Sequence, residues 1–412
     1  MNISSDYKLA NVQALIQELE PKYLSTEVAL KIVANYRFFH QLPEPAWTEL
    51  KTRRAIKERL ETYAHVEILF DYEPGLLARI VNPSAKLKIL YRADIDALPI
   101  KEETGLDFAS KNDAMHACGH DGHISVALAL VETIASNPEN FSKDIEYYFI
   151  FQASEENLPS GAKTLIEDRL LAKFGPYELI LGSHFTPQIM AGQIGVLPSG
   201  PATTANGFFK VSIEGISAHS SQPQNGNNPI LIACQLVEAW ERFALNGFDP
   251  KEYRVMTICQ LNSGTVQNQI PARAEVAGSI RVLNSETEEK LITGMARLAK
   301  GIAVTNDAEI SFRYQPGHPA VHNDSRIREK IIAYLESNSA SHEFILEDFW
   351  SASEDFSYYQ ELAPVYYIHL GSAKDSEAMK YSNHHPKFLI DPKGLIMAAE
   401  FWAGFLANLD LS

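Results

Sequence analysis

Residues 116–135 read HACGHDGHISVALALVETIA, a turn crowded with His116, Cys118, His120, Asp121 and His123 that runs directly into an apolar helix spanning 124–135. Working outward, short β-branched and aromatic runs at 87–91 and 145–151 flank that helix, and a helix at 162–168 and a buried strand at 179–181 follow. Strands alternating with helices imply an α/β sheet covered by helices. Upstream, 26–63 carries helical spacing, and 64–70 and 76–81 read as strands. The turn itself has no packing rationale. Thiolate and imidazole are borderline-soft ligands that suit zinc, and Gly119 and Gly122 allow the backbone to turn sharply enough to aim side chains at one ion. Asp121 can cap the helix, but a capping turn needs neither a cysteine nor a second histidine.

A different rhythm starts near Ser199: strand 208–213, helix 229–243, strands 253–261 and 274–282, helix 286–304, strand 309–314. This β-α-β-β-α-β order is the ferredoxin-like pattern, bracketed by Pro- and Gly-containing stretches at 197–201 and 315–319. The division expected is a catalytic domain from residues 1–198 and 316–412 with an inserted domain at 199–315. The return segment holds a strand at 365–370 and a last, amphipathic helix at 392–409.

At 412 residues, two domains are the prior expectation. A net charge of −16 and a pI near 5.3 argue against nucleic acid and anionic membranes as partners. Three widely spaced cysteines, with neither a signal-peptide block nor a run long enough to span a bilayer, suit a cytoplasmic protein with a free Cys118 thiol.

Several candidate metal residues fall just after strands, where open α/β sheets place their sites: Asp94 and Asp96, Glu155 and Glu156, and His184. Alone, each is weak; a Glu pair is commonly a solvated turn. With Cys118, His120 and a histidine of Asn383-His384-His385-Pro386, they supply enough ligands for two divalent ions and leave one carboxylate over. A metal-activated water needs such a base nearby.

Taken in order, Arg92-Ala-Asp-Ile-Asp-Ala-Leu-Pro99, Met115-His-Ala-Cys-Gly-His-Asp121, Phe151-Gln-Ala-Ser-Glu-Glu156, Gly182-Ser-His184, Ser353-Glu-Asp-Phe356 and His384-His-Pro386 resemble the di-metal aminoacylase/carboxypeptidase family of clan MH metallopeptidases. The nearest branch is the amidohydrolases that include hippurate hydrolase, indole-acetyl-amino-acid hydrolases and N-acetyl-diaminopimelate deacetylase. The resemblance implies a phosphorylase/hydrolase-like mixed sheet with helices on both faces and an inserted ferredoxin-like lid. It further implies two divalent ions, zinc or manganese with cobalt or nickel as alternatives, on Cys118, His120, Glu156, His184 and His384, the last chosen over His385 by the family's His-x-Pro spacing. Glu155 becomes the general base and Asp94 a carboxylate orienting a ligand imidazole. In the lid, Gly215-Ile-Ser-Ala-His219 makes His219 the candidate for polarising the scissile carbonyl, against an ordinary exposed histidine, and Asn268-Gln-Ile-Pro271 makes Asn268 a substrate contact. The implied activity is hydrolysis of an N-acyl amino acid or small peptide-like amide, with a homodimer formed through the lid. The alternatives are a metallo-dipeptidase or exopeptidase and a non-catalytic metal-binding homologue. The sequence departs from the family's glycine-rich run after the Glu pair, with Asn157-Leu-Pro-Ser-Gly161 in its place, and has Ala153-Ser154 where Pro-Ala is usual.

Overall fold

Four parallel strands, Ile145–Gln152, Leu87–Asp94, Leu179–Met190 and Val365–Ala373, lie side by side in that order and form the centre of a ten-stranded mixed sheet. This is a computed structural model, and it describes residues 3–73 and 75–411. Ile145–Gln152 is buried at every position, as a central strand covered on both faces must be. On one side the sheet continues antiparallel through Gly75–Ile80 to Val66–Tyr72. On the other, His322–Asn323 pairs parallel with the central strand and antiparallel with Gly200–Pro201.

The helix expected at 124–135 runs His120–Ser136, so the ligand-dense turn forms its first turn. It packs on Leu87–Asp94 and on the helices Thr26–His40 and Pro392–Ala407. The stretch 26–63 is two helices, Thr26–His40 and Leu50–Leu60, because Pro43 and Pro45 cannot continue the first. The last helix is not amphipathic: nearly all its side chains are buried, because helix and sheet neighbours both cover it. Its Glu400 stays inside by accepting the N–H groups of Lys22, Tyr23 and Leu24.

By internal contacts the chain divides into two units. One comprises Met1–Ala202, His322–Asp348 and Tyr358–Ser412; the other comprises Thr203–Val321 and Phe349–Ser357. The second has a four-stranded antiparallel sheet in which Ala205–Glu214 lies between Arg273–Val282 and Glu309–Pro316, with Arg254–Ser263 on the outer edge. Two helices, Pro229–Asn246 and Ser285–Thr305, complete the ferredoxin-like order. Its core centres on Trp240, fully buried against Phe209 and Phe312, with its indole N–H donated to the Met295 carbonyl. The segment Phe349–Ser357, which carries Ser353–Phe356, belongs to this unit, although the sequence pattern assigned it to the returning chain. Among the described residues no helix is long and apolar enough to cross a membrane.

Candidate active site

Gly119 caps the helix His120–Ser136 with φ +93, a left-handed conformation that an L side chain adopts only with strain. It thereby turns Cys118 and His120 toward one point. Gly122 serves differently: a Cβ there would lie 2.4 Å from Ile390 and 2.9 Å from Phe185, so glycine lets the helix sit close to its neighbours.

Overlapping donor groups converge within one unit. Cys118, His120 and His184 form one triad and Cys118, Glu156 and His384 a second, with the candidate ligand atoms of each within 4.8 Å of one another. His120 also meets Glu155 and Glu156 on the same terms. Cys118 Sγ is 3.3 Å from His184 Nε2, and His384 Nε2 is 3.1 Å from Glu156 Oε1. His184 does not follow its strand, as the sequence pattern suggested; it lies inside Leu179–Met190, which Val365–Ala373 keeps paired past that point.

The hydrogen bonds fix which ring nitrogens are available. His120 Nδ1 faces the Asp96 carbonyl at 2.9 Å and its Oδ1 at 3.1 Å, so Nδ1 carries a proton and Nε2 is the nitrogen turned toward the cluster. His184 Nδ1 donates to the Phe185 carbonyl at 2.8 Å, with the same result. His123 is committed at both nitrogens: Nδ1 binds Asp94 Oδ1 at 2.5 Å and Nε2 accepts the Phe185 N–H at 3.1 Å. It is no ligand candidate, despite lying in the motif. Asp94 therefore engages His123 and the buried Arg92, while Asp96 holds His120. His385 instead lies against Tyr381, with the two ring planes tilted by 40°.

Asn383 closes the cluster. Its amide donates to the carbonyls of Cys118 and Phe185, and the His384 N–H donates to Ala117, so the C-terminal segment is tied to the loop of Cys118 and the strand of His184. His384 has φ +68. On the other side, Ser154, with φ +51, donates its N–H to the buried Glu49 and so turns the chain into Glu155 and Glu156. Ser160 in the unusual 157–161 run caps the helix Gly161–Glu167.

The electrostatics favour cations. Burial works against protonating His120, yet Asp94 and Asp96 outweigh it and push the pKa up to about 10. Burial, then the Glu156 and Glu155 carboxylates, raise the Cys118 thiol well above its usual range. His184 is depressed by burial and by the neighbouring His123. His120 Nε2 is buried 3.4 Å from Asp94 Oδ2, and Glu156 Oε1 is buried 3.1 Å from His384 Nε2. Divalent ions would take the place of protons among these facing groups and neutralise the carboxylates, and a mixed S, N, O donor set suits zinc-like metals. The residues therefore fit a metal centre.

In the inserted unit, the short strands Ala218–His219 and Gln269–Ile270 pair antiparallel, and Ser220 N–H donates to the Asn268 carbonyl, so His219 and Asn268 are neighbours. Ser221 N–H donates to His219 Nδ1, so the neutral ring carries its proton on the exposed side chain's Nε2. The sequence reading left unassigned Asp96, Asn383 and Glu49. Asp96 was visible as half of an acidic pair; the other two carry no local signal.

The family model for peptidase family M20/M25/M40 matches residues 90–408. The chain belongs to this family. Across 381 residues it is 33% identical to N-acetyldiaminopimelate deacetylase of Listeria monocytogenes, covering 92% of this chain and 99% of the relative. An N-acetyl-L-cysteine deacetylase of Bacillus subtilis is 31% identical over 396 residues, 95% of this chain and 91% of the relative. A dinuclear metal-binding M20 peptidase of Bacillus subtilis superposes with a TM-score of 0.79 at 28% identity, covering 93% and 98% of the two chains. This M20 chain is accordingly a metal-dependent hydrolase of amide C–N bonds, with a catalytic domain and an inserted lid.

Proposed function

We propose that this chain is a di-metal deacylase of N-acyl amino acids, with zinc or manganese as the working ions. The observation that carries it is the pair of ligand triads meeting at Cys118 with Glu155 beside them. One ion would rest on Cys118, His120 and His184, the other on Cys118, Glu156 and His384. Bound there, the ions supply Lewis acidity, polarising the amide carbonyl and lowering the pKa of water. Glu155 takes a proton from the attacking water and delivers it to the amine nitrogen as the C–N bond breaks. His219, with its proton on Nε2, donates to the developing oxyanion, and Asn268 beside it holds substrate. A protein that only stored metal would have no use for Glu155. The names of the relatives favour an acetyl group over larger acyl groups or a peptide.

The test is a panel of N-acetyl amino acids, N-benzoyl amino acids and dipeptides, assayed with zinc or manganese. N-acetyl substrates should be cleaved fastest, releasing acetate and a free amine. Preferential cleavage of dipeptides would overturn the deacylase assignment in favour of an exopeptidase.

We further assign residues 199–315 and their flanks to a lid that also forms a homodimer, in a cytoplasmic enzyme. The edge strand Arg254–Ser263 leaves Val255 and Leu261 exposed, and the adjoining helix exposes Leu231 and Leu245. Light scattering should give twice the chain mass, and Leu261→Lys should reduce it to one.

A further inference from the structure

Glu49 stands just ahead of the helix Leu50–Leu60, in a stretch that holds no proposed ligand, and is 4% exposed. Its Oε1 reaches 105 residues along the chain to accept the Ser154 backbone N–H at 2.8 Å. Ser154 has φ +51, a left-handed backbone that serine keeps only where its surroundings impose it. Two residues before Glu49, the Trp47 indole N–H donates to the Pro159 carbonyl at 2.9 Å, so the turn from Ser154 to Pro159 is gripped at both ends by Glu49 and Trp47. Glu156 has a hold of its own, since its N–H donates to Asp96 Oδ2 at 3.0 Å. Glu155 therefore lies between two carboxylate anchors, Glu49 on the Ser154 side and Asp96 on the Glu156 side.

We propose that Glu49 is a positioning residue for the general base: its carboxylate imposes the left-handed turn at Ser154 and thereby sets where Glu155 stands. The inference rests on the assignment of Glu155 as the base. A base must lie within hydrogen-bond reach of the proton it takes, and a misplacement of about 1 Å can cost about a hundred-fold in rate. Without Glu49 the Ser154 N–H loses its acceptor, and the backbone there relaxes toward the conformations a serine ordinarily adopts. Glu156, still tied to Asp96, keeps its place. The base is displaced while the neighbouring ligand is not. What the turn requires of position 49 is an acceptor at the right reach, more than a negative charge.

The experiment is a double-mutant cycle between positions 49 and 155 on the full chain loaded with zinc or manganese. It reads kcat and KM on the N-acetyl amino acid cleaved fastest in the panel, with metal stoichiometry for each variant. Glu49→Ala should lower kcat about a hundred-fold, with KM and metal content at wild type. Glu49→Gln keeps an oxygen at the same reach without the charge, so it should recover most of that loss. Glu49→Asp keeps the charge but withdraws it by a methylene, and should behave as alanine does; it carries the test should Glu49→Ala fail to fold. In a Glu155→Gln background, where no base remains to be placed, neither Glu49→Ala nor Glu49→Asp should lower kcat further. Wild-type kcat in Glu49→Ala and Glu49→Asp, metal lost along with rate, or an undiminished fall in the Glu155→Gln background overturns the proposal. Glu155→Gln alone is the control on the assignment beneath it: full kcat there means that Glu155 is not the base, a failure seen without any change at Glu49.

Discussion

Adjacent glutamates with different proposed jobs are the sharpest point at the residue scale. Glu156 shares a donor cluster with Cys118 and His384, while Glu155 stands beside it, 9% exposed. Glu155→Gln should therefore cut kcat by about a hundred- to ten-thousand-fold with metal content unchanged. Glu156→Gln should lose metal as well as rate. Metal analysis alongside kinetics separates the two, and the reverse pattern would shift the assignment by one residue. Much of this cluster was legible from residue types: Cys118, His120, Glu156, His184 and His384 all stand in recognisable motifs and converge in space. Which member of Asp94-Ile95-Asp96 grips His120 was not legible, because both carboxylates lie near the strand's end and only the fold decides which imidazole each meets. His123 was equally ambiguous until both its nitrogens were seen to be spoken for.

Elements rather than residues explain how the ligands are kept apart and together. Helix and strand periods gave most of the architecture, yet the last helix read as amphipathic because its few polar residues suggest a wet face. Glu400 shows the error: a carboxylate is compatible with full burial when three backbone N–H groups point at it. The His384 segment has no regular structure and depends on Asn383, so Asn383→Ala should reduce affinity for one ion by about tenfold or more, measured by chelator competition, with little effect on melting temperature. The helix His120–Ser136 is anchored differently, through His40, which lies between Asp121 at 2.6 Å and Glu102 at 3.1 Å. Burial opposes charge on His40, but the two carboxylates prevail and lift its pKa to about 9. A raised pKa in the folded state stabilises below the unfolded value near 6.5 and is lost as pH climbs through 9. Metal-free protein should lose on the order of 3 kcal/mol more stability between pH 6.5 and 9 than His40→Gln does, as read by urea unfolding at each pH. Parallel slopes for the two proteins would show that His40 is neutral.

For the molecule as a whole, the residues proposed to carry the chemistry fall in both units. All the proposed metal ligands belong to the first, and His219 and Asn268 to the second. His219→Ala should lower kcat about a hundred- to a thousand-fold while metal stoichiometry stays at wild type, because the imidazole acts on the transition state and holds no ion. A full kcat on the best substrate of the panel would return His219 to an exposed surface residue.

The pairing of Pro201 with His322 has an evolutionary reading. Chain entering the insertion and chain leaving it run side by side as neighbouring strands, so the 203–321 stretch hangs from two adjacent attachment points. Such a stretch can be exchanged between relatives, lengthened or reshaped without re-threading the sheet that holds the ligands. Exchange of this kind would vary the stretch that carries His219 and Asn268 while the proposed metal ligands and Glu155 stay in place.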